Sequence, residues 1–287
     1  MGPVEPEGID VTTAPHPPTE DPVVAPGYEV HAIRFCHRAA RRQDHFYEPV
    51  DDPDAPMPID YYLWVARSPD RIVVMDAGYT PEVSARRGAH DGRTYLNRPL
   101  DTLAQLGVAA DDVDTVTLSH LHYDHTGLVP AFPQARVVVQ ERELGFWCGP
   151  DARRAHFARL CEPDDVAGLV RRNLAGGVAM VDGDAEVAPG ITVHRVGGHT
   201  PGTQVVRIAT ASGFVVVASD ASHFYANVEQ RRPYALVHTL PQMYDAFDRL
   251  EELATRPDLV VPGHDPAVID RFPPSRPDLA GLAARIA

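Results

Sequence analysis

Four apolar runs in this chain stop on histidine or aspartate, and that pattern constrains its fold more than any other feature. VDTVTLSH (113–120) leads into His120, His122, Asp124 and His125. ITVHRVGG (191–198) leads into His199, GFVVVASD (213–220) ends on Asp220, and DLVVPGHD (258–265) carries His264. Runs of this length and β-branched content read as buried strands. Loops at strand ends are where a scaffold presents functional groups. Strands laid side by side with one polarity bring all seven side chains to a single rim.

The rest of the chain frames these runs. Residues 1–27 are rich in proline and acid without periodicity, which predicts a disordered or extended arm. Order is expected from Tyr28, giving one domain over 28–287. YEVHAIRFCH (28–37), IDYYLWVAR (59–67) and RIVVMDAG (71–78) read as strands, the last two joined by Ser68-Pro69-Asp70. Residues 79–97 predict a loop serving as a wall or lid. A helix is expected over 98–107, ending at Gly107, then a strand over 135–140 and mostly helix over 141–174. TQVVRIAT (203–210) adds a strand, and 241–256 a helix with Met243, Phe247, Leu250 and Ala254 on one face. Mixed strands and helices of this kind predict a layered α/β domain.

Composition removes several chemistries. The 26 basic residues are all arginine, which excludes a lysine Schiff base and a phosphate-binding loop lysine. A net charge of −14 without a basic stripe disfavours nucleic acid. Cys36, Cys148 and Cys161 form no CxxC pair, so buried or neutral thiols are expected rather than disulfides or a thiolate zinc site. No run reaches bilayer length and the first residues lack a signal-peptide core, so the expectation is a cytoplasmic protein without membrane contact.

Within TLSHLHYDHTG (117–127), His120 and His122 are two apart and project to one side of an extended segment. Asp124 and His125 come after the turn begins and can face a second ion. Imidazole and carboxylate ligands without thiolates suit zinc, iron or manganese in an open catalytic site. Two such cations about 3.5–4 Å apart form a hydrolytic pair, and Asp220 is the natural carboxylate to lie between them.

HLHYDH, GGHTPG, the SD of Asp220 and PGHD, with MDAG (75–78) before them, resemble the metallo-β-lactamase superfamily of dinuclear hydrolases over residues 59–265. The resemblance implies an αββα sandwich of two mixed sheets flanked by helices. It implies two divalent ions, zinc foremost, with His120, His122 and His199 on the first. Asp124, His125 and His264 would hold the second, with Asp220 bridging and Asp76 orienting a ligand or capping backbone N–H groups.

SHLHYDHTG and DAS (220–222) are similar to the N-acyl homoserine lactonase group. That likeness implies a lactone opened by a metal-bridging hydroxide, with Asp124 or Asp220 passing a proton to the leaving oxygen. Those lactonases carry a tyrosine three residues after the bridging aspartate. Here that position is His223 and the nearest tyrosine is Tyr225, so either side chain is a candidate donor to the oxyanion.

The alternatives are a thioesterase of glyoxalase II type, a phosphodiesterase, or a metal-free binding module. Glyoxalase II sequences usually continue DHxGG where this chain has DHTGL, and no basic C-terminal domain for glutathione is evident. A small ester or lactone is the expected partner, and a homodimer is compatible with the sequence. His194, His31, His37 and His45 are expected in packing or surface roles, with Tyr123 packed behind the site. Phe146 and Trp147 are expected in the core more than in a pocket. Of the paired arginines only Arg86-Arg87 suggests contact with a substrate carboxylate.

Overall fold

The computed structural model describes residues 27–88 and 92–287. The strands are β1 (Glu29–Arg38), β2 (Ile59–Arg67), β3 (Ile72–Met75), β4 (Arg93–Tyr95), β5 (Thr115–Thr117), β6 (Arg136–Gln140), β7 (Val178–Val181), β8 (Ala185–Ala188), β9 (Ile191–Arg195), β10 (Gln204–Thr210), β11 (Gly213–Ser219), β12 (Val260–Pro262) and β13 (Ala283–Arg285). The helices are α1 (Pro81–Gly88), α2 (Pro99–Gln105), α3 (Tyr123–Thr126), α4 (Glu141–Trp147), α5 (Ala155–Ala158), α6 (Pro163–Leu174), α7 (Tyr225–Glu229), α8 (Leu240–Leu253) and α9 (Ala267–Arg271).

Among the described residues one sheet runs β13-β1-β2-β3-β5-β6-β7, with β4 paired to the end of β1. The other runs β12-β11-β10-β9-β8. The contacts β3–β5, β5–β6, β6–β7 and β11–β12 are parallel, and the remaining strand pairs are antiparallel. Both sheets are therefore mixed.

The period-2 alternation of the strands fills three layers. In β2, Tyr62, Trp64 and Ala66 point between the sheets, where Val193, Ile208 and Val217 meet them. Leu63 and Val65 point the other way, toward Leu103, Leu144 and Leu169 of α2, α4 and α6. In β11, Val215 and Val217 face the inter-sheet core while Val216 and Ala218 face α8. Met243, Ala246, Phe247, Leu250 and Leu253 form the inward stripe of α8 at helical spacing. The αββα sandwich expected from the sequence is the fold observed.

The stretch 79–97 departs from its expectation: it carries α1 and β4, not only loop. Helix over 141–174 is interrupted after Trp147, where Gly149-Pro150 and then Pro163 restart the chain. The strand expected over 113–120 is regular only over Thr115–Thr117, because the following residues leave the sheet to form the site. Strands β7, β8 and β13 are only three or four residues long and were not expected from the sequence. The expected N-terminal arm lies outside the described residues apart from Gly27. Cys36 and Cys161 are buried as expected, but Cys148 is exposed. No described helix is long and apolar enough to cross a membrane.

Candidate metal centre

The sandwich brings all seven predicted side chains together at one edge. His120 and His122 lie in the extended segment after β5, and His122 is the N-cap of α3. The switch to helical backbone carries Asp124 toward the His264 side of the cluster, while the His125 ring stays 4.2 Å from that of His120 between centroids. GGHTPG delivers His199 through a turn in which Gly197 and Gly198 have φ of 68° and 82°. That region is costly for residues with a Cβ. A Cβ on Gly198 would also stand 2.9 Å from the Met243 Cα.

Asp220 lies at the centre of the cluster. Its Oδ2 is 3.1 Å from His199 Nε2 and 3.7 Å from His120 Nε2. Its Oδ1 is 3.0 Å from His264 Nε2 and 3.4 Å from His125 Nε2. His122 Nδ1 closes the first group, 3.0 Å from His199 Nε2. Asp124 Oδ2 closes the second, 3.7 Å from His125 Nε2 and 3.8 Å from His264 Nε2. Each oxygen of one carboxylate thus faces one set of imidazoles.

The outward nitrogens are held by the protein. His120 Nδ1 meets the Ser119 hydroxyl at 2.9 Å, and His199 Nδ1 meets the Leu236 carbonyl at 2.8 Å. His264 Nδ1 meets the Asp60 carbonyl at 2.7 Å, while Asp60 N–H donates back to the His264 carbonyl. His125 Nδ1 lies 2.8 Å from Asp76 Oδ2. Such contacts fix ring orientation and leave the other nitrogen for the site. Asp76 also accepts the Ser119 N–H and the Ser119 and Ser219 hydroxyls. It therefore both caps backbone and orients a ring, the two roles the sequence left open. Asp76 and Ser219 are non-glycine residues with φ of 56° and 45°, a conformation kept only where surroundings enforce it.

A metal fits this donor set. His120 Nε2, His125 Nε2 and Asp220 Oδ1 are buried without a well-aligned hydrogen bond, a costly state that a cation relieves. His120, His122, His199 and Asp220 offer ligand atoms within 4.8 Å of one another, as do Asp124, His125 and His264. Burial, reinforced by neighbouring imidazoles, holds His120 and His122 neutral, the state a ligand requires. Burial opposes charge on His125 as well, but Asp76, Asp124 and Asp220 overcome it and lift its pKa to about 10. Asp220 stays ionised despite burial because His223, His264, His125 and His199 surround it.

The two candidate helpers part company. His223 Nε2 lies 2.9 Å from Asp220 Oδ2, and its ring stacks on Tyr234 at 3.4 Å between centroids. Burial holds its imidazole neutral. Tyr225 opens α7, which turns its ring into the inter-sheet core beneath the Arg271 guanidinium. It does not line the cavity over the cluster, correcting its expected place in the site. Tyr234 lines that cavity instead, and no sequence signal singled it out.

The cavity holds about 350 Å³. Tyr123 is on its wall rather than behind the site. Arg87 lines it too, but Arg86 and Arg87 each lie 2.8 Å from the one Glu162 carboxylate, which offsets one of their two charges. Trp147 packs in the core and stands edge-on to His122, and Phe146 packs beside it. His45 is buried against Phe224 and Tyr234, and His31 is buried beside Ser275. His194 pairs with Asp184 on a sheet face. His37 supports the site from outside, 2.6 Å from the Asp60 carboxylate.

Glu143 escaped sequence reasoning altogether. Fully buried at the start of α4, it accepts Leu121 N–H, Trp147 Nε1–H, Thr200 Oγ1–H and Gly202 N–H. One carboxylate therefore ties together the loops that carry His120, His122 and His199.

A two-sheet sandwich with a buried histidine–aspartate cluster at its strand ends defines a metal-centre protein of the αββα class. The chain belongs to the metallo-beta-lactamase superfamily, whose family model matches residues 57–264. It is similar to the N-acyl homoserine lactonase AiiB of Agrobacterium fabrum, 31% identical over 183 residues, covering 60% of this chain and 65% of that protein. An N-acyl homoserine lactonase of Bacillus thuringiensis is 30% identical over 175 residues, covering 60% and 64%. The match thus spans less than two thirds of the curated relatives' length.

Solved structures share the fold. An N-acyl homoserine lactone hydrolase with N-hexanoyl-L-homoserine at its catalytic metal centre aligns over 87% of this chain and 98% of that one, at 20% identity and a TM-score of 0.70. AidC, a dizinc quorum-quenching lactonase, aligns over 84% and 88%, at 16% identity and a TM-score of 0.64.

Proposed function

We propose that residues 28–287 form one hydrolase domain that opens a lactone to its hydroxy acid with two divalent ions, zinc before iron or manganese. The observation that carries this reading is the division of Asp220, with one oxygen toward His120 and His199 and the other toward His125 and His264. His120, His122 and His199 would hold one ion and Asp124, His125 and His264 the other, with Asp220 placed to serve both. The lactone substrate is drawn from the names of the lactonases to which the chain is similar.

The chemistry such ions supply is activation of water and polarisation of the ester carbonyl. The residues of this chain do the rest. Asp124 has a side chain 11% exposed against 3% for Asp220, so it is better placed to carry a proton to the leaving alkoxide. His223 lines the cavity with both nitrogens free of a well-aligned hydrogen bond, and donates to the developing oxyanion. Tyr234 fixes the His223 ring by stacking.

Metal analysis of the purified protein followed by a lactone and ester panel tests the reading. Two equivalents of metal are expected, with lactone opening lost in His122→Ala and on chelation. Faster hydrolysis of acyl-glutathione than of any lactone would move the assignment to a thioesterase. Failure to bind metal after reconstitution would defeat the catalytic reading.

A further inference from the structure

Arg38 and Arg93 are register partners across the antiparallel β1–β4 pair. Residues directly opposite in such a pair share a face, with Cβ atoms about 4.5–5.5 Å apart, and like charges so placed repel. Both side chains line the cavity over the metal centre. The chain has 40 acidic residues against 26 basic ones, so carboxylates are plentiful. Yet among the described residues none lies within ion-pair distance of Arg38, whose Nε donates to the Tyr61 hydroxyl at 3.3 Å. The ionisable groups that most affect it are the phenols of Tyr61, Tyr234 and Tyr123. The Arg93 guanidinium stands 5.1 Å from the centroid of the same Tyr61 ring. The phenol of Tyr61 orients the Arg38 guanidinium but does not neutralise it.

The aliphatic surface of the cavity is confined to Ile59, Leu160 and Leu236. An apolar cleft beyond His122, lined in part by Phe146, Phe157 and Val237, has room for about 10 Å³. That is about the room one water needs, so among the described residues this cleft does not take an acyl tail.

We propose that Arg38 forms an anion subsite, and that the substrate opened here carries a carboxylate or phosphate near its ester bond. The proposal rests on the hydrolase reading and narrows it to acidic lactones and esters. The planar guanidinium fork matches the oxygens of either anion.

Three rings test it on the metal-loaded protein: γ-butyrolactone, the same ring with a carboxylate on the carbon beside the ring oxygen, and the ring with a phosphoryloxymethyl group there. Wild type should favour at least one anionic ring over the neutral one by about tenfold or more in kcat/KM, and the faster of the two names the anion. Arg38→Gln should cut that preference by about tenfold or more through KM, and Arg38→Lys should restore part of it. KM for the anionic ring should also rise between about 0.05 M and about 0.5 M salt while that for the neutral ring stays put.

A neutral ring opened as readily as both anionic ones, or a preference unchanged in Arg38→Gln, overturns the subsite and leaves the hydrolase reading standing. If no ring is opened, turnover cannot rank them, the hydrolase reading is left to the metal analysis and the wider ester panel, and calorimetric titration with 2-hydroxyglutarate and with inorganic phosphate decides the subsite. Binding of either that weakens about tenfold in Arg38→Gln upholds it. No binding of either, or binding that Arg38→Gln leaves unchanged, overturns it.

Discussion

Oδ2 of Asp76 lies 2.8 Å from Nδ1 of His125, joining the end of β3 to the ligand loop after β5. The same carboxylate accepts the Ser119 and Ser219 hydroxyls, so it braces the strand ends that carry both His120 and Asp220. Asp76→Ala should therefore weaken metal binding at the Asp124–His125–His264 group by about 10–100-fold. Competition against a chelator, read ion by ion, measures it. Unchanged affinity would reduce Asp76 to a backbone cap.

Glu143 is buried with four donors aimed at its carboxylate. Glu143→Ala strands those donors and should destabilise the protein by about 3 kcal/mol or more. Glu143→Gln keeps the shape but offers N–H groups to donors, so it should fall between. Unfolding of the holoprotein in urea gives the ordering. An alanine variant as stable as wild type would show that the two histidine loops hold themselves.

His223 and Tyr225 make opposite predictions. His223→Phe keeps the stack on Tyr234 but removes both nitrogens, and should lower kcat by about 100-fold with metal content unchanged. Tyr225→Phe removes a hydroxyl that has no hydrogen-bond partner among the described residues. It should leave kcat unchanged and stability within about 0.5 kcal/mol. Reversed effects would return Tyr225 to the site.

Acid sensitivity should be traceable to His45. Burial pushes its pKa down to about 4 from 6.5, against the opposing effect of the Met57 carbonyl 2.7 Å from Nε2. The unfolded chain binds this proton first, so the stabilisation is complete above about pH 6.5 and is lost as pH falls toward about 4. The full loss is about 3 kcal/mol. His45→Phe should flatten that part of the stability–pH curve, measured by urea unfolding between about pH 7 and about pH 4. A curve equally steep in the variant assigns the acid response elsewhere, with the buried His31 the next group to test.

The metal-type residues were legible before any fold was known. A ligand is recognised by the chemistry of its own side chain, and its place at a strand end by the apolar run just before it. Both signals are local. So His120, His122, Asp124, His125, His199, Asp220 and His264 could be read in order, along with a layered α/β class, while the αββα sandwich was implied by the family resemblance. The same local reasoning misplaced Tyr225, because the start of α7 at that residue turns its ring into the core.

Tertiary structure alone decided the partners across long loops. Arg38 meets Arg93 through β-pairing, Glu143 meets Thr200 and Gly202 through the docking of α4, and Tyr234 reaches His223 from the loop before α8. Each contact joins segments separated in sequence and depends on which strands become neighbours. That choice is made by burying whole faces against one another, a property of the assembled sheets and helices and of no single segment. The chain itself determined what chemistry is available at this edge, and the fold decided which charges and rings surround it.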